Sequence, residues 1–183
     1  MIKFLFCLLF LFFEIEFTSQ KIITIKSNDN TFYDLKTIIK NNQNDEELVL
    51  KFNDSRYYMK ELDYGVELNV ETNIILSGNE NKTVFDYGGE KNQKGKFFFT
   101  ILKNQKNIKF ENIIFENFLY QNSYRTDDIF IITISIYHQF NFIFSFENCI
   151  FRNNGQDLIN FYPDVVKKPN TESILFFNKC EFM

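Results

Sequence analysis

IKFENIIFENF, residues 108 to 118, returns as FSFENCIFRNN at 144 to 154 and again as LFFNKCEFM at 175 to 183. The apolar positions Ile108, Phe110, Ile113 and Phe115 line up with Phe144, Phe146, Cys149 and Phe151, then with Leu175, Phe177, Cys180 and Phe182. Spacings of two, three and two recur inside every copy, and the phrase advances by 36 and then 31 residues. A strand points alternate side chains to one face, so each spacing of two is a strand and the spacing of three is a bend. Asn112, Asn148 and Lys179 occupy that bend. Asparagine suits it, because it tolerates left-handed backbone angles and its amide can bond to the residue stacked above or below. A period in this range with one apolar face per unit predicts a solenoid, whose turns bury their interior only against one another. Ile74 and Leu76, followed by Val84 or Phe85, fit a preceding turn less closely.

Outward from the phrase, short strand-like runs separated by Asn, Gly, Asp and Lys fill the chain from ELVLKF at 47 to 52 onward. Before them, KIITIKSN alternates like a strand. TFYDLKTIIKNN then changes period, with Leu35, Ile38 and Ile39 at helical spacing and Thr31 as cap, which predicts one short helix over residues 32 to 40. The competing architecture is an antiparallel sandwich or jelly roll. Tight hairpins would place Asn-Gly or Asp-Gly in two-residue loops, and no such signal joins the copies; Asn154-Gly155 leads into the next turn.

With the phrase apolar, x, apolar, x, Asn, apolar, x, Phe, x, Asn in place, the chain resembles the right-handed parallel β-helix proteins of the pectin-lyase-like superfamily. The resemblance covers roughly residues 66 to 182, and DLKTIIKN followed by ELVLKF is similar to the helix and first strand that cap such solenoids. It implies an all-β, right-handed parallel β-helix with a short N-terminal capping α-helix. The expected organisation is a signal peptide at 1–19, an N-terminal cap at 20–65, and coils from 66 to 183 that continue in a longer protein or leave an open end for another chain to stack on.

The resemblance also frames the question of catalysis. Relatives that cleave acidic polysaccharides use carboxylates on one parallel sheet, sometimes with Ca²⁺, plus an Arg or Lys. Two carboxylates at a set separation protonate the leaving oxygen and activate water or attack the sugar. Asp127, Asp128 and Asp157 are the candidates here, and Asp128 and Asp157 each directly precede a strand. The same residues read equally as polar turn residues. The Gly-His-Gly and Arg-x-Lys of glycoside-hydrolysing relatives are missing, His138 sits inside the apolar IYHQF, and Arg125 and Arg152 have no obvious partner motif. No zinc spacing, dedicated Ca²⁺ loop or phosphate-cradling glycine loop is present, so neither metal nor cofactor is expected.

The compartment is read from the N-terminus. Lys3 followed by the apolar run Phe4 to Phe13, with Thr18 and Ser19 as small residues, reads as a secretory signal. Ten apolar residues span only about 15 Å as a helix, half a bilayer core, so a membrane anchor is not expected. Two N-glycosylation sequons, Asn53-Asp-Ser and Asn81-Lys-Thr, suit secretion. The net charge of -4 comes without a basic cluster and argues against nucleic acid. Phe reaches 25 with no Trp, and Ile, Asn and Lys are abundant; this composition reads first as codon bias rather than as an aromatic binding surface. Cys149 and Cys180 fall in the same slot of successive copies, where neighbouring strands about 4.8 Å apart would allow a disulfide or an inward stack of thiols. The expected function is that of a secreted, non-catalytic module contacting a polysaccharide or a surface protein. The alternative is a fragment of a polysaccharide lyase or glycoside hydrolase.

Overall fold

The computed structural model describes residues 19–62, 65–89, 94–119, 130–136, 141–155, 157–163 and 174–183. The chain opens with β1 (Gln20–Ile25), two short helices α1 (Asn30–Tyr33) and α2 (Leu35–Asn41), then β2 (Glu47–Phe52) and β3 (Arg56–Tyr58). From there three strands make one turn, repeatedly. The turns are β4 (Gly65–Val70), β5 (Asn73–Gly78) and β6 (Thr83–Asp86); β7 (Lys96–Ile101), β8 (Lys106–Glu111) and β9 (Ile113–Glu116); β10 (Ile132–Ile136), β11 (Phe142–Glu147) and β12 (Ile150–Arg152); and β13 (Ile159–Pro163), β14 (Ile174–Asn178) and β15 (Glu181–Phe182). Equivalent strands stack into sheets of order β1-β2-β5-β8-β11-β14, β4-β7-β10-β13 and β3-β6-β9-β12-β15. The pairings are parallel in all three. The molecule is therefore a parallel β-solenoid of about four turns, and the antiparallel alternative is excluded.

Register follows the phrase. Ile108, Phe144 and Leu175 are successive partners, as are Phe110, Phe146 and Phe177. Phe115, Phe151 and Phe182 do the same one sheet further round. Because neighbouring strands lie about 4.8 Å apart, like rings in register must stack. Phe110–Phe146 and Phe146–Phe177 centroids are 5.4 and 5.0 Å apart with planes at 15° and 6°, and Phe115–Phe151 and Phe151–Phe182 are both 5.0 Å apart at 5° and 9°. Between the two columns the rings meet edge to face, as Phe115 and Phe146 do at 78°. These columns, with Phe97, Phe99, Leu76 and Ile108, form the buried interior. In the earlier turn it is Phe85, not Val84, that partners Phe115. At β14 and β15 the columns end with Leu175, Phe177 and Phe182 exposed.

The bend residues behave as their chemistry predicts. Lys82, Asn112, Asn148 and Lys179 hold φ of 66, 56, 53 and 52°, the left-handed region, and stand one above another. The Asn148 amide donates to Asn112 Oδ1 at 2.7 Å, and Lys82 Nζ donates to Asn148 Oδ1 at 2.8 Å. A second left-handed column, which the spacing argument did not single out, closes the phrase at Asn117 and Asn153, with φ of 61 and 51°. Asn153 Nδ2 donates to Asn117 Oδ1 at 2.6 Å there. The final Asn of FEN and FRN is thus as structural as the first.

Between β1 and β2 the chain makes two helical pieces separated at Asp34, in place of one continuous helix. The first is capped by Asp29 rather than Thr31: the Asp29 carboxylate accepts the Thr31 N–H at 2.8 Å. Phe32, Leu35 and Ile39 are buried, and α2 lies against β4.

A lysine is buried with the sheets. Lys96, at the start of β7, is 2% exposed, and burial lowers its pKa from 10.5 to about 8. Between these values the unfolded chain holds the proton more firmly than the folded one, so stability rises with pH. From about pH 9 the slope weakens and then reverses, because burial is the chief cause that pushes the Cys149 thiol up from 9.0 and the Tyr57 phenol up from 10.0, each to about 12, and the unfolded chain then loses those protons first. Urea unfolding should show a gain of about 1 kcal/mol from pH 7.5 to pH 9. A flat profile across that window would show that Lys96 keeps its ordinary proton affinity.

Candidate functional site

Two turns depart from the phrase, and both departures fall at the same corner. Nine residues separate Leu76 from Phe85 where five separate Phe110 from Phe115, although the two pairs are in register. The extra residues form the bend Asn79–Lys82. The coil before it also carries a longer bend, through Asn53 and Ser55, before β3 begins. Asn79 organises its loop, its Oδ1 accepting the Asn81 N–H at 3.0 Å and its Nδ2 donating to Asp54 O at 3.4 Å. Thr83 takes the interior slot that Ile113 and Cys149 fill in later turns. Its buried hydroxyl donates to Phe52 O and Asp54 O at 2.9 and 3.0 Å, fastening one bend to the other.

Between the bends lies an open cleft of about 690 Å³. Asn53, Ser55 and Arg56 form one wall, Asn79, Glu80, Asn81 and Lys82 the other, and Val84 and Ile114 the aliphatic floor. Its volume falls in the range of about 300 to 1,000 Å³ common for small-ligand sites. A smaller polar recess of about 390 Å³ lies one to two turns further on, among Glu111, Asn112, Glu147, Asn148 and Lys179.

Beside the cleft floor, the outer face of the β3-β6-β9-β12 sheet carries four charged side chains. Asp86, Glu116 and Arg152 are register partners on successive turns, and Arg56 stands at the edge of the cleft. Arg56 Nη1 donates to Asp86 Oδ2 and, at 2.6 Å, to Glu116 Oε1. Arg152 Nε and Nη2 donate to Glu116 Oε2 at 2.6 and 2.5 Å. Asp86 Oδ1 accepts the Gly88 N–H at 2.9 Å and the Asn117 amide at 2.8 Å. All four carboxylate oxygens are therefore bonded. Burial would raise the Asp86 pKa, but the Asn117 amide, the Gly88 N–H and Arg56 outweigh it and hold the pKa below its ordinary 3.8. A general acid requires the opposite shift. The quartet is neutral in sum, and it ties four turns together along one face.

Removing Arg56 would leave Asp86 and Glu116, 8% and 6% exposed, stacked with Arg152 alone to balance them. Arg56→Ala should lose about 2 kcal/mol at pH 7, a figure reduced from that of fully buried pairs because the guanidinium is partly hydrated. A carboxylate with a depressed folded pKa contributes stability above its unfolded value and loses it as pH falls. The deficit should accordingly shrink below pH 3.8, where the native Asp86 contribution itself disappears. Denaturation of both proteins at pH 7 and pH 3 tests this; an equal deficit at both values would assign the loss to packing.

Asp157 is exposed in the segment before β13. Asp127, Asp128, Arg125, His138 and residues 1–18 of the expected signal lie outside the described residues. Arg152, which has no obvious partner motif in the sequence, is paired with Glu116. Asn53 and Asn81 are both exposed, on opposite walls of the cleft. Cys149 and Cys180 stand in the same slot one turn apart as free thiols, each donating to a carbonyl of the preceding turn: Phe110 O at 3.6 Å and Phe146 O at 3.5 Å. Burial is the largest of the causes that push the Cys149 thiol up to about 12. Among the described residues, no three His, Cys, Asp or Glu side chains gather as metal ligands, and no helix is long and apolar enough to cross a membrane. Comparison with family models, with curated proteins and with solved structures finds no significant match to this chain.

Proposed function

We propose that the chain is a secreted, non-catalytic β-helix module of the pectin-lyase-like kind that contacts a glycan or a surface protein through the side of its solenoid. The cleft carries this reading. Its walls offer amide and hydroxyl groups that match the alternating donors and acceptors of a sugar, and its aliphatic floor suits the apolar face of a pyranose ring. The neighbouring carboxylates support a binding role over an acid-base one, since Asp86 and Glu116 have every oxygen bonded.

Calorimetric titration of the unglycosylated chain with neutral and uronic oligosaccharides tests the proposal. Binding is expected for wild type, with a several-fold loss in Ile114→Asp, whose new charge would face the sugar from the floor. No binding to any glycan or to cell-surface extracts would overturn it. Incubation with polyuronides and neutral polysaccharides separates the enzymatic alternative, in which Asp127, Asp128 or Asp157 would act. Release of unsaturated or reducing ends, lost on substituting those residues, would favour a lyase or hydrolase.

A further inference from the structure

We propose that Asn53 and Asn81 carry N-linked glycans, and that the core sugars of the Asn81 glycan lie in the cleft as its resident occupant. The inference rests on the reading above that the chain is secreted and that this cleft accepts sugar; it adds that the sugar in the glycosylated chain is the protein's own, so that an outside glycan enters the cleft only where Asn81 is unmodified.

Three observations converge on it. First, both sequons start in the two lengthened bends, and their asparagines line one cleft. Second, these asparagines differ from those of the ladders. Asn112, Asn117, Asn148 and Asn153 have their amides committed to stacked neighbours. Those of Asn53 and Asn81 have no bonding partner among the described residues and are exposed. Third, the floor under Asn81 is aliphatic. Val84 and Ile114 are register partners that point outward from β6 and β9 and line the cleft with Asn81; Val84 is buried, Ile114 is half-buried like its next partner Ile150, and a sugar ring would cover what Ile114 still exposes.

The transfer is balanced with a lipid-diphosphate-linked oligosaccharide as donor. The Asn81 amide nitrogen bonds to the anomeric carbon, the bond from that carbon to the diphosphate oxygen breaks, the amide loses a proton to the transferase base, and the lipid diphosphate departs. No oxidation is involved. The hydroxyl that completes the Asn81 sequon belongs to Thr83, which is 0% exposed and donates to Phe52 O and Asp54 O. Modification of Asn81 must therefore precede closure of this turn, whereas Ser55, which completes the Asn53 sequon, stays exposed.

The test uses the full chain secreted from a eukaryotic host. Glycopeptide mass spectrometry should find both asparagines modified. Peptide N-glycosidase should release the Asn81 glycan from native protein roughly tenfold more slowly than from denatured protein, the ratio equivalent to about 1.4 kcal/mol of protection. Ile114→Thr and Val84→Thr, which roughen the floor without touching either sequon, should each narrow that ratio. An unmodified Asn81, or equally fast release from native and denatured protein, would overturn the inference. If the unglycosylated chain still bound free oligosaccharide in either case, the glycan-contact reading would stand without it. If the glycan were protected but no free sugar bound the bare cleft, the external-ligand reading alone would fail.

Discussion

Phe110→Ala should remove about 4 kcal/mol of stability, the cost of emptying a large buried aromatic site that its surroundings cannot close. Phe110 is 0% exposed, and its ring lies 5.4 to 6.1 Å from those of Phe97, Phe99, Phe115, Phe144 and Phe146. Those neighbours belong to the turn of Phe110 and the one after it, so the void would open between coils. A solenoid holds each coil only through its neighbours, and the loss should spread along the axis, lowering the cooperativity of unfolding as well as its midpoint. Phe176 is the control. It belongs to the same kind of phrase but points outward from β14 at 50% exposure, and Phe176→Ala should cost less than about 1 kcal/mol. Urea unfolding followed by circular dichroism measures both. Similar losses in the two variants would contradict the placing of Phe110 inside and Phe176 outside, and a larger loss for Phe176→Ala would mean that the two sets are exchanged.

Gly78→Ala is expected to cost at least about 3 kcal/mol, for a different reason. A Cβ at residue 78 would stand 2.1 Å from Asn112 O and 3.0 Å from Thr83 Cβ. Asn112 O is itself committed, accepting the Thr83 N–H at 2.9 Å. Since that carbonyl belongs to a left-handed bend residue whose side chain is bonded to Asn148, it can retreat only by disturbing the bend column. Gly78 thus lets the lengthened bend start beneath the next turn. The variant should unfold at markedly lower urea concentration and reach the soluble fraction poorly on expression. Wild-type stability would show that the bend column gives way easily.

The architecture was legible because one coil is nearly a unit of sequence. The spacing of two, three and two survives in three copies, and only stacked parallel turns make those positions equivalent; the left-handed asparagine at the bend then follows from steric preference. The earlier turn was harder to read. Thr83 stands where the pattern calls for an apolar residue, and the four additional residues before Phe85 break the period. That break was the signal for the cleft, since an insertion in a solenoid has to leave the stack. Ala-free, Asn-rich composition hid the second ladder, because Asn117 and Asn153 look like any other turn residues until the coil is closed. The Arg56, Asp86, Glu116 and Arg152 quartet was illegible for a related reason: its bonded pairs lie 30 to 60 residues apart and meet only once the register of every turn is known. The helical segment starts at Asn30, earlier than the apolar period suggested, because Asp29 supplies the cap, and it divides at Asp34.

Coil-on-coil registration is the claim on which the rest depends, and nuclear Overhauser contacts between ring protons in a sample with selectively labelled phenylalanines test it most directly. Cross-peaks are expected along each column, between Phe110 and Phe146 and between Phe115 and Phe151, whose centroids are 5.4 and 5.0 Å apart. The spectrum should also contain backbone contacts of parallel geometry between β8 and β11. Absence of those ring contacts, with antiparallel backbone contacts in their place, would contradict the solenoid, the cleft and the functional reading together.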